Sequence, residues 1–294
     1  MVIVKLLGGL GNQMFQYAAG RRLAHVLGTE LKLDISGYQN QGPLTQRRYN
    51  LEVFNIQQKI ASADEIRSLK GPESILPPAI IVERLTKLRL IPSYIHRIRQ
   101  TRFDPAILSL PDNVYLNGIW QSEKYFIDIA EIIRKEFTLK NPPPAKNKEL
   151  SDLITATESI SIHVRRTDYV HNRKTQAMHG HCDIDYYRAC VDQLIKKVKK
   201  PHFFIFSDDP QWTSENLKLE YPTTLVTHNQ EDQCHEDLTL MSQCKHHIIA
   251  NSSFSWWGAW LNPGPGKTIF APRRWFKNLS YDSNDIIPEK WIRI

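Results

Sequence analysis

The first 36 residues alternate a strand, a glycine-rich turn, a helix and a second strand, and this order restricts the fold more than any other feature. VIVKLL is a β-rich run, GGLGN is the turn, and apolar residues then recur at helical spacing at Phe15, Ala18, Ala19 and Leu23 until Gly28, a typical helix stop. ELKLDIS follows as the second strand. A βαβ unit of this kind implies a parallel sheet, whose ligands bind at the carboxyl ends of the strands.

The same alternation returns after a proline-rich segment. KNPPPAKNK places three consecutive prolines among lysines and asparagines, a composition typical of a linker. We therefore predict an α/β fold of two Rossmann-like domains, residues 1–150 and 151–294, with helical and irregular structure over 62–110. The predicted strands and helices of the second domain are, in order, SISIHVRR, YYRACVDQLIKKVKK, HFFIFSDD, TTLVTHN, EDLTLMSQC, HHIIANSS, SFSWWGAWL and TIFAP.

Composition limits the location and the partners. Four irregularly spaced cysteines disfavour a disulfide framework and favour a reducing, cytoplasmic location. The sequence contains no run of about 18 apolar residues, so it predicts no membrane span. The basic stretch 84–103 has two interpretations: an amphipathic helix, or a peripheral contact with the inner membrane face. The net charge of +7 suits a polyanion or a phosphorylated small molecule, and no base-reading motif indicates nucleic acid.

The glycine-rich turn leaves two interpretations open. Gly9 and Gly11 begin a dinucleotide fingerprint, but Met14 stands where the third glycine belongs. With Asp34 as the ribose-binding acid, an NAD(P)-dependent oxidoreductase is the alternative function. Asn12 and Gln13 instead suggest a turn whose side chains hydrogen bond to a ligand such as a sugar.

Paired arginines end the strand SISIHVRR. On that strand His163 and Arg165 share one face and Arg166 takes the other. The planar, permanently charged guanidinium suits phosphate oxygens, so a diphosphate at this strand end is the functional interpretation. A salt bridge between Arg166 and Asp168 is the structural one.

NSSFSWWGAWL joins a strand to a helix. Asn251, Ser252 and Ser253 at this junction form either an anion site or a simple N-cap. We predict that the three tryptophans that follow, Trp256, Trp257 and Trp260, pack in the core. Asp183-Ile-Asp185 is the only Asp-x-Asp pair, and its place at a helix start indicates capping, so we predict no metal site.

Four motifs together resemble a known family. GGLGNQMFQYA, HVRRTDYV, FFIFSDD and NSSFSWWGAWL are similar, in the same order, to motifs of the α-1,2-fucosyltransferases of glycosyltransferase family 11. The resemblance implies a GT-B fold, two Rossmann-like domains facing across a cleft. It also implies metal-independent, inverting transfer of fucose from GDP-β-L-fucose, bound without a cofactor, to the 2-hydroxyl of a terminal galactose.

The resemblance also implies residue roles. Arg165 would be the essential contact to the diphosphate, with Arg166 beside it, and Asn12 would lie near the reacting centre. Asp237 would read guanine, His163 would lie against the nucleoside, and Ser252 and Ser253 would bind phosphate oxygens. The remaining donor-binding residues would be Gly11, Gln13, Asn251 and Phe254.

Two parts of the reaction are weakly specified by the sequence. VHNRKTQA lacks the glutamate that α-1,6 relatives carry after the arginine motif, so Asp168 is the nearest carboxylate for a catalytic base. Acceptor contacts would come from SGYQNQGPLTQRRYN and NGIWQSEKY, in which Trp120 would stack on a sugar ring. The natural acceptor glycan and the oligomeric state stay open.

Overall fold

The computed structural model describes residues 1–39, 47–70, 93–97 and 101–294, and for residues 93–97, Asp168 and His171 it describes the backbone. Within these ranges no helix has the length and the apolar character needed to cross a membrane. Part of SGYQNQGPLTQRRYN, residues 40–46, lies outside the described residues, as do residues 84–92 and 98–100 of the basic stretch.

The chain divides into two compact units, Met1–Thr138 with Asn284–Ile286, and Leu139–Ser283 with Ile287–Ile294. The boundary that we placed after residue 150 falls inside a helix of the second unit, Ala145–Ala156. This helix belongs there because the buried Asn147 amide hydrogen bonds to Asn229 and Glu236 of that unit, each at 3.0 Å.

The first unit contains a parallel sheet in the order β2–β1–β4–β3. Its strands and helices are β1 (Val2–Lys5), α1 (Leu10–Leu27), β2 (Leu31–Asp34), α2 (Ala63–Lys70), β3 (Ser93–Arg97), β4 (Val114–Gly118) and α3 (Ala130–Glu136). The prediction of helical and irregular structure over 62–110 is right at α2 and wrong at β3, a strand that pairs along its length with β4. Short 3₁₀ turns lie at Ser36–Tyr38, Leu51–Val53, Pro105–Ser109, Glu123–Tyr125 and Ile127–Ile129.

Helix α1 begins and ends at glycines. Gly8 precedes it with a φ of +76°, and Gly28 closes it in the left-handed conformation, donating its N–H to the carbonyl of His25 at 3.2 Å. Its buried face includes Met14 and Phe15, and the Phe15 ring lies 6.1 Å from that of Phe126. Helix α1 is therefore packed against the segment that contains Phe126.

The second unit contains a six-stranded sheet in the order β10–β9–β8–β5–β6–β7, and every pairing is parallel. Chain order reverses between β5 and β8, because β6 and β7 extend the sheet on one side and β9 and β10 on the other. Such a switch point is where open α/β sheets bind ligands. The elements are α4 (Ala145–Ala156), β5 (Glu158–Val164), α5 (Thr167–His171), α6 (Arg173–His179), α7 (Ile184–Leu194), β6 (Pro201–Ser207), α8 (Pro210–Asn216), β7 (Thr223–Val226), a 3₁₀ turn (Glu231–Gln233), α9 (Cys234–Gln243), β8 (His246–Ile248), α10 (Ser253–Leu261), β9 (Ile269–Ala271) and β10 (Ile292–Arg293).

Alternation along β5 separates its apolar and polar faces. Ile160, Ile162 and Val164 pack in a core with residues of β6 and α7, while Ser161 and His163 are buried on the other face. The tryptophans of α10 are 0–3% exposed, which confirms their predicted place in the core.

Candidate functional site

Parallel register brings the arginine motif beside the aspartates of FFIFSDD. Val164 pairs with Ser207 at the ends of β5 and β6, so the next residues, Arg165 and Asp208, are neighbours at the carboxyl edge of the sheet. Arg165 Nη1 lies 3.3 Å from Asp208 Oδ2, and the guanidinium carbon lies 5.6 Å from the centre of the Tyr169 ring. Arg165 is thus held in place by an anion and an aromatic face.

Asp208 organises the backbone after β5. Its carboxylate accepts from the Arg166 N–H at 2.8 Å and from the Thr167 N–H at 3.1 Å, and it also accepts from the Thr167 hydroxyl. It therefore caps α5 from the neighbouring strand. Although FFIFSDD is one of the motifs, the sequence alone predicted no role for Asp208; its position directly after a strand parallel to β5 is the signal that indicates one.

Arg166 is more enclosed than Arg165. Its guanidinium carbon lies 3.5 Å from the centre of the Trp212 ring, and its Nε lies 3.5 Å from Asp209 Oδ2. The exposed fraction of the side chain is 15%, against 24% for Arg165. Among the described side chains, Arg166 forms its ion pair with Asp209, and the predicted salt bridge between Arg166 and Asp168 stays a prediction. Asp168, our candidate base, has a side chain outside the described residues.

His163 lies on the same strand end and is buried. Its ring centre is 5.4 Å from that of Phe254, and its Nδ1 has no hydrogen-bond partner within the described part of the chain. Burial, aided by the Arg165 charge, lowers the pKa of His163 to about 4 against the opposing effect of Asp208. The imidazole is therefore neutral at pH 7, with an unused ring nitrogen.

Two polar residues after β8, Asn251 and Ser252, have different structural roles. Asn251 is 2% exposed, and its Nδ2 donates to the carbonyl oxygens of His179 at 3.0 Å and Trp275 at 3.1 Å. Its amide thus holds this turn together rather than facing a ligand. Ser252 Oγ accepts from the Phe254 N–H at 3.3 Å and caps α10, as the N-cap interpretation predicts.

Phe254 brings the two strand ends of the switch point together. It lies in the first turn of α10 beside the half-buried Ser253, and its ring contacts His163 at the end of β5. The residues predicted for the phosphates and the nucleoside are therefore placed at one edge of one sheet.

Asp237 lies in the first turn of α9. Its Oδ1 accepts from Asn229 Nδ2 at 2.7 Å. Burial raises the pKa of Asp237 to about 6; the Asn229 hydrogen bond lowers it, and the adjacent Glu236 raises it. The carboxylate is therefore mainly ionised at pH 7, close to the range in which it takes up a proton.

A cavity of about 300 Å³ is lined in part by Asn147 and Glu236. None of the residues predicted to bind the donor lines this cavity.

Asn12, in the first unit, is oriented by Gln121, for which the sequence alone predicted no role. Asn12 Oδ1 accepts from Gln121 Nε2 at 2.8 Å. Gln121 follows β4, the neighbour of β1 at the switch point of the first sheet, and it belongs to NGIWQSEKY. A Cβ added to Gly8 would lie 2.8 Å from Asn12 Nδ2. Gly8 and Gln121 together fix the Asn12 amide.

Gln13 is committed to the interior of the first unit. Its Nε2 donates to the carbonyl oxygens of Gly8 at 3.0 Å and Arg48 at 2.7 Å, and its Oε1 accepts from the Asn50 N–H at 2.9 Å. Its amide therefore joins two loops, and both of its N–H donors are used within the first unit. Gly11 is buried in the first turn of α1.

Trp120 does not present its ring for stacking on a sugar. It is 3% exposed, packs edge-on to Tyr125 at 5.7 Å, and covers Gly118 so closely that an added Cβ would lie 2.4 Å from the indole. Its φ of +54° is unusual for a residue other than glycine. Trp120 thus fixes the turn that carries Gln121.

Asp34 is unsuited to the ribose contact of the oxidoreductase alternative. It is 0% exposed, and its carboxylate accepts from the Tyr115 hydroxyl at 2.5 Å and the Ser36 N–H at 2.9 Å. Although burial raises the pKa of Asp34, these hydrogen bonds hold it below its ordinary value. Asp34 is an ionised group of the sheet interior.

Asp183 performs the capping role that we predicted. Its Oδ1 accepts from the Tyr186 N–H at 2.9 Å at the start of α7. Asp185 is 85% exposed and lies 3.9 Å from Arg188.

Comparison with known proteins agrees with these motifs. Residues 90–294 match the sequence profile of "Glycosyl transferase family 11". The chain is 37% identical to an alpha-1,2-colitosyltransferase of Escherichia coli, over 100% of this chain and 99% of that one. It is 29% identical to mouse (Mus musculus) galactoside alpha-(1,2)-fucosyltransferase 1, over 51% of this chain and 42% of that protein.

Among solved structures, the NodZ alpha-1,6-fucosyltransferase soaked with GDP-fucose aligns with a TM-score of 0.50 at 16% identity, over 89% of this chain and 92% of that one. The two share the GT-B-type α/β fold with parallel sheets.

Proposed function

The chain belongs to glycosyltransferase family 11, and on that premise we propose that it transfers L-fucose from GDP-β-L-fucose to the 2-hydroxyl of a terminal galactose. The proposed transfer inverts the anomeric configuration and needs neither a metal nor a cofactor beyond the donor. The observation that carries the proposal is the meeting of Arg165, His163 and the Ser252 cap at the switch point of the second sheet.

We assign the donor contacts to the second unit. Arg165, the more exposed arginine, binds the diphosphate, and Arg166 adds positive charge behind it. Neutral His163 and Phe254 lie against the nucleoside. Ser253 completes the phosphate site at the start of α10, where backbone N–H groups favour an anion.

Asp237 is assigned to the base of the nucleotide. An ionised carboxylate accepts from guanine N1–H and N2–H₂ together, and adenine offers no matching pair of donors. The position of Asp237 in the first turn of α9 favours its ionised form.

In the proposed reaction the acceptor oxygen bonds to C1 of fucose while the bond from C1 to the β-phosphate oxygen breaks, and GDP leaves with the electron pair. Arg165 stabilises the negative charge that develops on the phosphate, and this stabilisation accounts for most of the rate enhancement. The acceptor proton passes to a base, for which we propose Asp168, or to the leaving phosphate. Asn12 is assigned to the acceptor side, near the reacting centre.

A second candidate donor follows from the relative that is 37% identical over the full chain, a colitosyltransferase. Colitose is fucose without its 3-hydroxyl, and because the nucleotide site that we propose reads guanine, we take the candidate donor to be GDP-colitose, transferred to the same acceptor hydroxyl. A site that hydrogen bonds the 3-hydroxyl would prefer fucose, because the deoxy sugar would leave its polar groups unpaired.

GDP release in EDTA tests the proposal, with GDP-fucose or GDP-colitose as the donor and with or without lactose. We expect lactose-dependent release in EDTA and an α-1,2 linkage by NMR, and the ratio of the two rates identifies the sugar. Release that requires manganese would contradict the metal-free reaction. Release with neither donor, although GDP binds by calorimetry, would contradict the galactoside acceptor.

Arg165→Ala tests the main residue assignment. We expect kcat/KM to fall by more than tenfold, about 1.4 kcal/mol of transition-state stabilisation, because the leaving diphosphate loses its cation. Arg188→Ala is the matched control, since the Arg188 side chain is 60% exposed on α7. Arg165→Ala enzyme that retains more than a tenth of wild-type kcat/KM would contradict the assignment.

We further propose a cytoplasmic location with peripheral contact at the inner membrane face. Cys182, Cys190, Cys234 and Cys244 are all free thiols, which supports a reducing compartment. Flotation with anionic liposomes tests the membrane contact, and protein that stays with the soluble fraction at low salt would contradict it.

A further inference from the structure

Two asparagines form a closed hydrogen-bond network with the two carboxylates at the start of α9. Asn147, 1% exposed, donates from Nδ2 to Asn229 Oδ1 and to Glu236 Oε2, each at 3.0 Å. Asn229 donates from its Nδ2 to Asn147 Oδ1 at 3.2 Å and to Asp237 Oδ1 at 2.7 Å. A primary amide has two N–H donors, so all four donors of this pair are used and neither amide can turn over without losing bonds.

Two carboxylate oxygens of the network, Asp237 Oδ2 and Glu236 Oε1, have no hydrogen bond within the described residues, and burial distinguishes the two acids. Asp237 Oδ1 is fixed by Asn229, whereas Asp237 Oδ2 has no hydrogen-bond partner among the residues that the structure describes. Both oxygens of Glu236 lie near protein groups, since Oε2 accepts from Asn147 and Oε1 lies 3.8 Å from His235. Glu236 is only 7% exposed, whereas Asp237 is half-buried, so of the two adjacent acids Asp237 is the one that a ligand can reach.

We propose that Asn229, held by Asn147, is a positioning residue that keeps the Asp237 carboxylate oriented for a guanine base. This inference rests on the proposed function, in which Asp237 reads guanine. Two effects follow from the contact. Asn229 fixes the plane of the carboxylate, and its hydrogen bond stabilises the ionised form against burial and against Glu236.

The other titratable groups around the network respond at different pH values. On α9, His235 lies beside Glu236; on the loop after β7, His228 Nε2 lies 2.5 Å from Asn147 Oδ1, and Lys146 of α4 acts on His228. Burial lowers the pKa of both histidines, so they lose their protons below their ordinary range. Loss of the Asn229 donor instead raises the pKa of Asp237 toward neutrality.

Nucleotide affinity as a function of pH tests the inference on the full chain. GDP and ADP are titrated by calorimetry between pH 5.5 and 8 into wild type, Asn229→Ala and the isosteric Asn229→Asp. We expect Asn229→Ala to bind GDP at least tenfold more weakly at pH 7, with partial recovery at pH 8, and Asn229→Asp to bind more weakly still because it adds a like charge beside Asp237. The preference for GDP over ADP falls in both variants. Asn216→Ala, at an exposed asparagine of α8, keeps the wild-type profile.

The outcomes separate this inference from the proposed function. Wild type that binds ADP as tightly as GDP would overturn the guanine role of Asp237 and, with it, the role of Asn229. Wild type that prefers GDP, with folded Asn229 variants whose pH profile and GDP preference are unmoved, would overturn the Asn229 inference alone. A uniform loss of affinity at every pH, with the GDP preference intact, would also overturn it, because it would assign Asn229 to folding.

Discussion

Asp208 shows how one side chain at the end of β6 sets the geometry of another at the end of β5. It accepts from two backbone N–H groups and one hydroxyl at the start of α5, and it also lies 3.3 Å from Arg165. The same carboxylate, which follows the last residue of β6, therefore caps α5 and holds Arg165, the residue assigned to the diphosphate.

Asp208→Asn is expected to weaken both folding and catalysis. Asparagine has one acceptor oxygen where aspartate has two, so at least one donor at the start of α5 loses its partner, at a cost of about 1–3 kcal/mol in the free energy of unfolding. Arg165 also loses its anion, and we expect kcat/KM to fall by at least tenfold. Urea denaturation and steady-state kinetics measure the two effects, with Asp192→Asn at an exposed position of α7 as the control. Lost stability with unchanged kcat/KM would limit Asp208 to a capping role.

At the residue scale, the motifs identified the right strand ends but not the hydrogen-bond partners of each side chain. Asn251 and Gln13 have the same donors and acceptors as ligand-binding amides, yet the structure commits both to backbone carbonyls. Asp208 and Gln121 were missed because their partners lie far away in the sequence. Hydrogen-bond partners of this kind depend on the register of parallel strands, which no local pattern encodes.

At the scale of elements, the turn before α1 depends on a glycine in a way that the end of α1 does not. Gly8 and Gly28 both have positive φ, +76° and +61°. A Cβ at Gly8 would lie 2.8 Å from Asn12 Nδ2, whereas a Cβ at Gly28 would meet nothing within 4 Å. A residue with a Cβ would be strained in the left-handed region at both positions, but only at Gly8 would the Cβ also contact a neighbouring side chain.

Gly8→Ala and Gly28→Ala form a matched pair. Each costs about 1–2 kcal/mol in the free energy of unfolding, because alanine is strained in the left-handed region. Only Gly8→Ala displaces the Asn12 amide, so we expect kcat to fall severalfold in that variant and to stay at the wild-type value in Gly28→Ala. Thermal unfolding and kinetics at saturating donor measure both. Equal activity in the two variants would remove the Asn12 amide from the reacting centre.

Elements with a clear period or a long apolar run, such as β1 and β6, were predictable, and strands β3 and β4 were not. Helix α1 and strand β5 follow their apolar spacing closely. Strand β4, VYLNG, is buried at all five positions, so it lacks the alternation that marks a strand with one exposed face. Its neighbour β3 was missed with it.

At the scale of the whole molecule, the two-unit α/β organisation was predictable and its boundary was not. Residues 284–286 return to the first unit, where the Asp285 carboxylate accepts from Lys124 Nζ at 2.6 Å and from the Phe103 N–H at 3.0 Å. One aspartate near the end of the chain gives no local sign of this return. The linker prolines mark a break in composition, whereas α4 joins the second unit through the side chain of Asn147.

Stability of the second unit should fall in mild acid because of His247. The ring is 0% exposed, with Nδ1 2.8 Å from Ser161 Oγ and Nε2 3.1 Å from Asn262 Nδ2. Burial, aided by the Lys267 charge, lowers the pKa of His247 to about 3, whereas an unfolded histidine has a pKa of about 6.5. Below about pH 6.5 only the unfolded chain gains the proton, so the contribution of His247 is complete above that pH and is lost as pH falls toward 3.

His247→Gln isolates this contribution, because glutamine keeps a donor and an acceptor but has no proton to gain. Between pH 7 and pH 5 we expect wild type to lose about 2 kcal/mol more unfolding free energy than the variant, at about 1.4 kcal/mol per pH unit. Urea denaturation at the two pH values gives the difference, in which the direct cost of the substitution cancels. His163 is also buried and neutral, and it is present in both proteins, so it adds the same loss to each. Identical pH dependence in the two proteins would mean that the folded state accepts a proton at His247 as readily as the unfolded chain does.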